Sequence, residues 1–171
     1  MICNQMGNPM KITTRLLLIA CLALPLLTAC KQEEAPKAEV AAALSAPTST
    51  DENEWNAYLT DVVKRNADGA TNMYAYTLPV DTSADFQGYY DRQLEKAQLD
   101  VARGGMEGTL LAFGSPSSAK SADLAVAAFA NAAPGTMKGV KVLFVGAAND
   151  SDRVKAAVEP SGATYLFVEA K

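Results

Sequence analysis

The chain of 171 residues contains no histidine, only three cysteines and few aromatic residues, which make up 7% of the sequence. Without histidine, no Ser-His-Asp or Cys-His catalytic machinery and no histidine-ligated zinc or haem site can form. Apolar residues nevertheless make up 49%, which excludes a wholly disordered chain. The composition predicts a folded domain with an additional apolar segment, and it names no activity.

The N-terminal segment has the pattern of a secretory signal. Lys11 and Arg15 precede a short apolar run over residues 16–24, and no acidic residue occurs before Glu33. The run is too short and wrongly flanked for a stable membrane span. Met10 opens a more typical leader than Met1, which makes the residues before it a candidate upstream mis-start.

The end of this segment, Leu27-Thr28-Ala29-Cys30, resembles the lipobox of bacterial lipoproteins. The resemblance covers only about the first thirty residues. It implies a signal peptide over residues 1–29, cleavage before Cys30, and a diacylglycerol and a further acyl chain such as palmitate on that residue. Two or more acyl chains are enough for durable anchoring in a bilayer.

Such processing changes the composition of what remains. Cys3 and Cys21 are removed and Cys30 is lipidated, so we expect a folded domain without any disulfide. After cleavage 13 basic and 19 acidic residues remain, a net charge of −6. Nucleic-acid binding needs clustered Lys and Arg, so we expect no nucleic-acid partner. Lys31 replaces the Asp that commonly retains Gram-negative lipoproteins at the inner membrane, so the resemblance implies the periplasmic face of the outer membrane.

Residues 30–50 are predicted to form the lipidated Cys30 and a flexible tether, because this stretch is rich in Ala, Pro, Glu, Lys, Ser and Thr and holds no aromatic residue. All aromatic residues lie between Trp55 and Phe167. We therefore place a single folded domain at residues 51–171. A domain of this size can bury a sufficient core without covalent cross-links.

Within this domain, helical and strand-like patterns alternate. Helices are predicted from Asp51, from Ser83 or Asp85, from Ser115-Pro116, and from Asp150 or Ser151. The first carries an apolar stripe that consists of Trp55, Tyr58, Leu59, Val62 and Val63. Strands are predicted at residues 73–78, 109–113, 140–145 and 164–168. The alternation predicts an α/β fold, with a mainly parallel or mixed central sheet of about four strands and flanking helices. The last strand is open to an antiparallel placement.

Three patterns raise the possibility of chemistry. Residues 114–121 nearly match a phosphate-binding loop, but Ala119 replaces its second glycine and Pro116 removes an amide donor. Ser117 and Lys120 form an S-x-x-K pair, the start of a penicillin-binding signature whose other motifs are absent. Paired carboxylates for glycoside hydrolysis could come from the acidic residues around the second helix, namely Asp81, Asp85, Asp91, Glu95 and Asp100. Asp91 and Glu95, however, lie with Arg92 and Lys96 in the usual pattern of a solvated helix face. No metal or cofactor motif is complete, so neither is expected.

Four aromatic residues are candidates for a recognition surface: Trp55, Tyr74, Tyr76 and Tyr89. The alternative is that most of them belong to the core. The sequence favours a membrane-anchored, non-catalytic module that binds a periplasmic protein, either an envelope or secretion component or a toxic enzyme that it neutralises as immunity proteins do. A small hydrolase or ligand-binding domain that uses carboxylates or Ser117 and Lys120 is the alternative hypothesis.

Overall fold

The computed structural model describes residues 42–171, in which four helices alternate with four strands. The predicted signal peptide, the predicted lipidation site Cys30 and the first part of the predicted tether lie outside the described residues. In chain order the elements are α1 (Glu52–Arg65), β1 (Asn72–Tyr76), α2 (Phe86–Ala102), β2 (Thr109–Gly114), α3 (Ser118–Phe129), β3 (Val140–Gly146), α4 (Ala148–Val158) and β4 (Thr164–Glu169), with a short 3-10 turn at Glu159–Ser161 after α4. The predicted α/β fold class is confirmed.

The four strands form one parallel sheet in the order β1-β2-β3-β4. β4 is a parallel edge strand, which settles the orientation that the sequence left open. The register aligns one aromatic row across the whole sheet, made by Tyr76, Phe113, Phe144 and Phe167. Because crossovers between parallel strands are right-handed, three successive ones place α2, α3 and α4 on the same face.

The face covered by α2, α3 and α4 holds the larger core, and we call it the three-helix face. Tyr76 stacks on Phe113 with ring centroids 4.8 Å apart, and Phe144 stacks on Phe167 at 6.1 Å. Apolar side chains from all three helices pack against this row, among them Ala97, Val101, Leu124, Phe129, Val154 and Val158. The central strands are buried on both faces, as their nearly unbroken apolar sequences predict.

The opposite face is covered mainly by α1, and we call it the α1 face. The predicted stripe of α1 is buried, against side chains of the two central strands: Leu110, Ala112, Leu143 and Val145. Gly114 permits the close approach of the helix, because a Cβ atom there would lie 2.6 Å from Cδ2 of Leu59. Asp51 caps α1 as predicted, accepting the N–H groups of Asn53 and Glu54 at 2.9 and 3.0 Å.

Residues 42–50, predicted as tether, lie against this same face. The N–H of Leu44 donates to Oδ2 of Asp61 at 3.1 Å, and Nε1 of Trp55 donates to the carbonyl of Ser49 at 2.8 Å. Ala46 packs on the cluster beneath α1. The described residues thus form one compact unit that begins upstream of the predicted domain start.

Candidate functional site

The carboxyl ends of parallel strands are the usual place for a ligand site in α/β proteins. In this protein that edge carries the loop after β2, which holds Ser115, Pro116 and Ser117, and the start of α4 after β3. Every motif that the sequence singled out for phosphate or Ser-Lys chemistry lies there.

Ser118 and Asp150 join the two helix starts at this edge. The hydroxyl of Ser118 donates to Oδ2 of Asp150 at 2.6 Å and accepts the N–H of Ala147 at 2.8 Å. Ala147 is the N-cap of α4 and has no capping side chain of its own. In a capping box the side chain of the third helical residue accepts the N–H of the N-cap residue directly. In this protein the Ser118 hydroxyl bridges the corresponding pair, Asp150 and Ala147, and we call this bridge the capping relay. Its role is structural.

Arg153 completes this network. Its guanidinium contacts Oδ1 of Asp150 at 3.0 Å, Oδ1 of Asp123 at 2.6 Å and the carbonyl of Ala119 at 2.8 Å. The hydrogen bond to Asp123, followed by that to Asp150, raises the pKa of Arg153 above its ordinary value. The cation is paired with two carboxylates, and the buried carboxylate of Asp150 stands at the helix start where a phosphate would bind. The geometry does not favour a phosphate loop.

The starts of α3 and α4 differ from the predicted ones, because the serine hydroxyls of this loop bond to remote groups. Ser115 was expected to cap α3, but its hydroxyl contacts that of Ser121 at 2.7 Å and the carbonyl of Ser117 at 3.0 Å. The helix begins instead at Ser118, and Ser117 makes no side-chain capping bond. Likewise α4 begins at Ala148, ahead of the expected Asp150 or Ser151.

The Ser-Lys pair is not assembled. Nζ of Lys120 lies 6.0 Å from the ring centroid of Phe86, on α2, and no hydrogen bond joins it to Ser117. General-base activation of a hydroxyl requires that contact. The arrangement gives the Ser-Lys hypothesis no geometric support.

The acidic residues of the α2 region are not gathered around a cleft. Asp85 pairs with Arg92 at 3.2 Å, Asp91 accepts from Gln87 at 2.8 Å, and Asp81 and Glu95 are exposed. Asp100 accepts the hydroxyl of Tyr76 at 2.6 Å and pairs with Arg103. Between residues 42 and 171 no group of three acidic or thiol side chains has the geometry to hold a metal ion.

The four candidate aromatics fall in different environments. Tyr76 is fully buried and Trp55 is 8% exposed, so both are core residues and not parts of an exposed surface. Burial, reinforced by Asp100, raises the pKa of Tyr76 far above its ordinary value, so the phenol stays protonated and donates. Tyr89 is 44% exposed, with the Arg92 guanidinium 4.8 Å from its ring centroid, and Tyr74 is half-buried.

Trp55 and Tyr89 do line one cleft, at the carboxyl edge of the sheet between α1 and α2. Its walls include Pro79 and Pro116, and its volume is only about 90 Å³. That volume is far below the range of typical small-molecule sites. The structure brings these two candidates together without forming a pocket of useful size.

A different exposed surface lies at the free edge of β1, and the sequence analysis did not predict it. Among the described residues β1 pairs only with β2. The strand begins at Asn72, which pairs with Thr109, and its N–H donates to the carbonyl of Gly108 at 3.2 Å, next to the N–H of Thr71 at 2.8 Å. Because peptide groups alternate along a strand, those of Met73 and Ala75 point away from the sheet. Both residues are exposed, Met73 by 48%.

Clefts flank β1 on both faces of the sheet. On the α1 face a cleft of about 290 Å³ lies between α1 and β1, and its walls include Leu59, Val63, Lys64, Met73 and Ala75. On the three-helix face a cleft of about 270 Å³ is bordered by Tyr74, Asp100, Arg103, Met106, Thr109 and Leu111. The open edge thus has room for side chains on either side of it.

The opposite edge strand, β4, is better protected. The N–H of Ala170 points toward β3, so the outward peptide groups belong to Tyr165, Phe167 and Glu169. The Tyr165 hydroxyl contacts Ser151 at 3.0 Å, Phe167 stacks on Phe144, and Glu169 pairs with Lys171 at 2.7 Å. Charges at an edge strand are a common defence against strand addition, and β1 carries none.

Comparisons with known proteins leave the family open: no family model matches the chain, and neither the curated proteins nor the solved structures include a match. Over residues 42–171, no helix is long and apolar enough to cross a membrane.

Proposed function

We propose that this chain is a lipid-anchored periplasmic protein of the outer membrane that binds a protein partner, without catalysis, through the free edge of β1. The observation that carries the proposal is the outward-facing backbone at Met73 and Ala75 between two clefts. The anchor rests on the lipobox-like sequence that ends at Cys30.

An open strand edge is a natural protein-binding element. Its unpaired N–H and C=O groups can hydrogen-bond to an extended segment of another chain, and side-chain pockets on alternating sides supply specificity. β1 offers both features and lacks the charged residues that protect β4. A component of envelope assembly or secretion, or a toxic enzyme that is held inactive, fits such a surface.

The binding surface is tested by site-specific photo-cross-linking in cells. A benzoyl-phenylalanine at position 73 of the full chain should give a cross-linked product, whereas the same probe at position 167 on β4 should not. Ala75→Pro removes one outward N–H at an edge position that tolerates proline, and it should abolish the product. Glu169→Pro is the matched control, because it also removes an outward N–H from an edge strand and its side chain is exposed. Cross-linking that survives Ala75→Pro, or that occurs only from β4, contradicts the proposal.

The anchor is tested separately. Cys30→Ser should abolish palmitate labelling and membrane sedimentation while leaving the melting temperature of the domain unchanged, because the substitution changes none of the contacts within residues 42–171. A Cys30→Ser protein that still incorporates palmitate and sediments with membranes would show that the lipobox interpretation is wrong.

A further inference from the structure

The charges beside β1 define what kind of segment it can accept. Lys64 lies in the wall of the cleft on the α1 face. Lys96 lies on the other face, with Nζ 5.6 Å from the ring centroid of Tyr76. Neither lysine has a carboxylate within ion-pair distance in the described part of the chain, whereas Lys141, Lys155 and Lys171 each do.

Lys96 lies on the side of α2 that faces the free edge. Gln98 marks the opposite side, because its Nε2 donates to the carbonyl of Ala127 on α3 at 3.3 Å. Lys96, Asp100 and Arg103 follow one another at helical spacing on the side away from α3. The Asp100 carboxylate is occupied by Tyr76 and Arg103, so the uncompensated charge on this side is that of Lys96.

We infer that the β1 edge accepts, as a fifth strand, an extended segment of the partner whose acidic side chains meet Lys64 on one face and Lys96 on the other. This inference rests on the proposed function and adds the chemistry of the partner. Alternate side chains of an added strand point to opposite faces, so one short segment can reach both lysines.

A second copy of this chain is a poorer occupant of the same edge. Two-fold pairing of β1 with itself would bring Lys64 of both copies to one face of the joined sheet and Lys96 of both copies to the other. The two Lys64 side chains would then share one face and the two Lys96 side chains the other, and in the described residues neither lysine is held in an ion pair, so the arrangement disfavours association. An acidic segment relieves both charges instead.

The experiment uses the full chain, purified from membranes in detergent, and two labelled octapeptides, one a repeat of Glu-Glu-Val-Val and the other a repeat of Lys-Lys-Val-Val. Because neighbouring side chains of a strand point to opposite faces, each peptide presents its charges on both faces. N-methylation along one edge of each peptide prevents self-association. Fluorescence anisotropy should show tighter binding of the Glu peptide, although the net charge of the processed chain would attract the Lys peptide. Lys64→Glu combined with Lys96→Glu should weaken Glu-peptide binding about tenfold.

Lys138→Glu is the matched control, because Lys138 is exposed, has no carboxylate partner and lies in the loop before β3. It should leave both affinities unchanged, and Ala75→Pro should remove the binding of both peptides. Equal affinity for the two peptides, or a β1-dependent dimer in sedimentation, overturns the inference. If one of these results is found but Ala75→Pro abolishes cross-linking in cells, then the proposed function stands and only the acidic chemistry of the partner is ruled out.

Discussion

The two faces of the sheet are built very differently. Three helices cover one face and bury Tyr76, Phe113 and Phe144 of the aromatic row, whereas α1 and residues 42–50 cover the other face. Right-handed crossovers produce this asymmetry, because only an element outside the strand-helix-strand series can reach the second face. One helix about 10 Å wide cannot span four strands spaced roughly 4.8 Å apart. The strand left uncovered on this face is β1, which is also an edge of the sheet.

The largest expected effect is on the three-helix face. Phe144→Ala should lower the free energy of unfolding by about 3–5 kcal/mol, because the ring is fully buried at the centre of the sheet. Denaturant melts monitored by circular dichroism measure this, and they should be identical with and without reductant, since residues 42–171 contain no cysteine. A loss below about 1 kcal/mol would mean that this face does not dominate stability.

A smaller effect is expected on the α1 face. Leu59→Ala should cost about 2–3 kcal/mol, because one helix packs there and the site can partly collapse. Gly114→Ala should also destabilise, since its new Cβ would meet the Leu59 side chain. In the double variant the new methyl group occupies the space that Leu59 leaves, so the two losses should be less than additive. Full additivity would show that α1 does not approach β2 as closely as described.

The capping relay is expected to contribute less again. Ser118→Ala leaves the N–H of Ala147 and the carboxylate of Asp150 without their shared partner, which should cost about 1–3 kcal/mol. Ser117→Ala, one residue away, should cost close to nothing, because Ser117 makes no capping bond. Thermal melts of the two variants decide the matter. Equal losses would contradict the relay, and a folded Ser117→Ala protein without cellular activity would revive the Ser-Lys hypothesis.

The smallest effect concerns the attachment of residues 42–50. The hydrogen bond from Arg65, followed by that from the N–H of Leu44, lowers the pKa of Asp61 below its ordinary 3.8. A carboxylate with a lowered pKa stabilises the attached state above its ordinary pKa, and that contribution disappears as the pH falls through the lowered value. Asp61→Asn should therefore reduce the protection of the Leu44 amide against hydrogen exchange near neutral pH, while the wild-type amide should lose this protection only below the ordinary carboxyl pKa of 3.8. Unchanged exchange in the variant would contradict the attachment.

Much of the fold was predictable from local patterns. The apolar stripe of α1 and the apolar runs of β2 and β3 predict which of their residues are buried, because hydrophobic period and composition are local properties of the sequence. The helix starts were not predictable in the same way. The group that caps α4 is the hydroxyl of Ser118, which is remote in sequence, and Ser115 is engaged by Ser121.

The candidate site was harder to predict than the fold. Tyr76 and Trp55 are residue types that are common in binding surfaces. The position of Tyr76 in the sheet and the packing of α1 on the opposite face bury them both. Met73 and Ala75 carry no motif, and their importance depends on β1 being an edge strand with a thin face behind it. The order β1-β2-β3-β4 makes the first strand an edge, and that order is a property of the strand pairing which no local pattern in the sequence predicts.

The attachment of residues 42–50 also sets how the domain would respond to mechanical load. A pull from the N-terminal side enters the packed unit at residue 42 and meets the Leu44–Asp61 and Trp55–Ser49 hydrogen bonds one after another. Bonds loaded in sequence yield at lower force than bonds loaded together. The next element in line is α1, which is held to the sheet by side chains alone, while the four strands remain joined by their backbone ladders. Tension would therefore strip the α1 face first, and it would widen the cleft behind β1 before it disturbed the sheet.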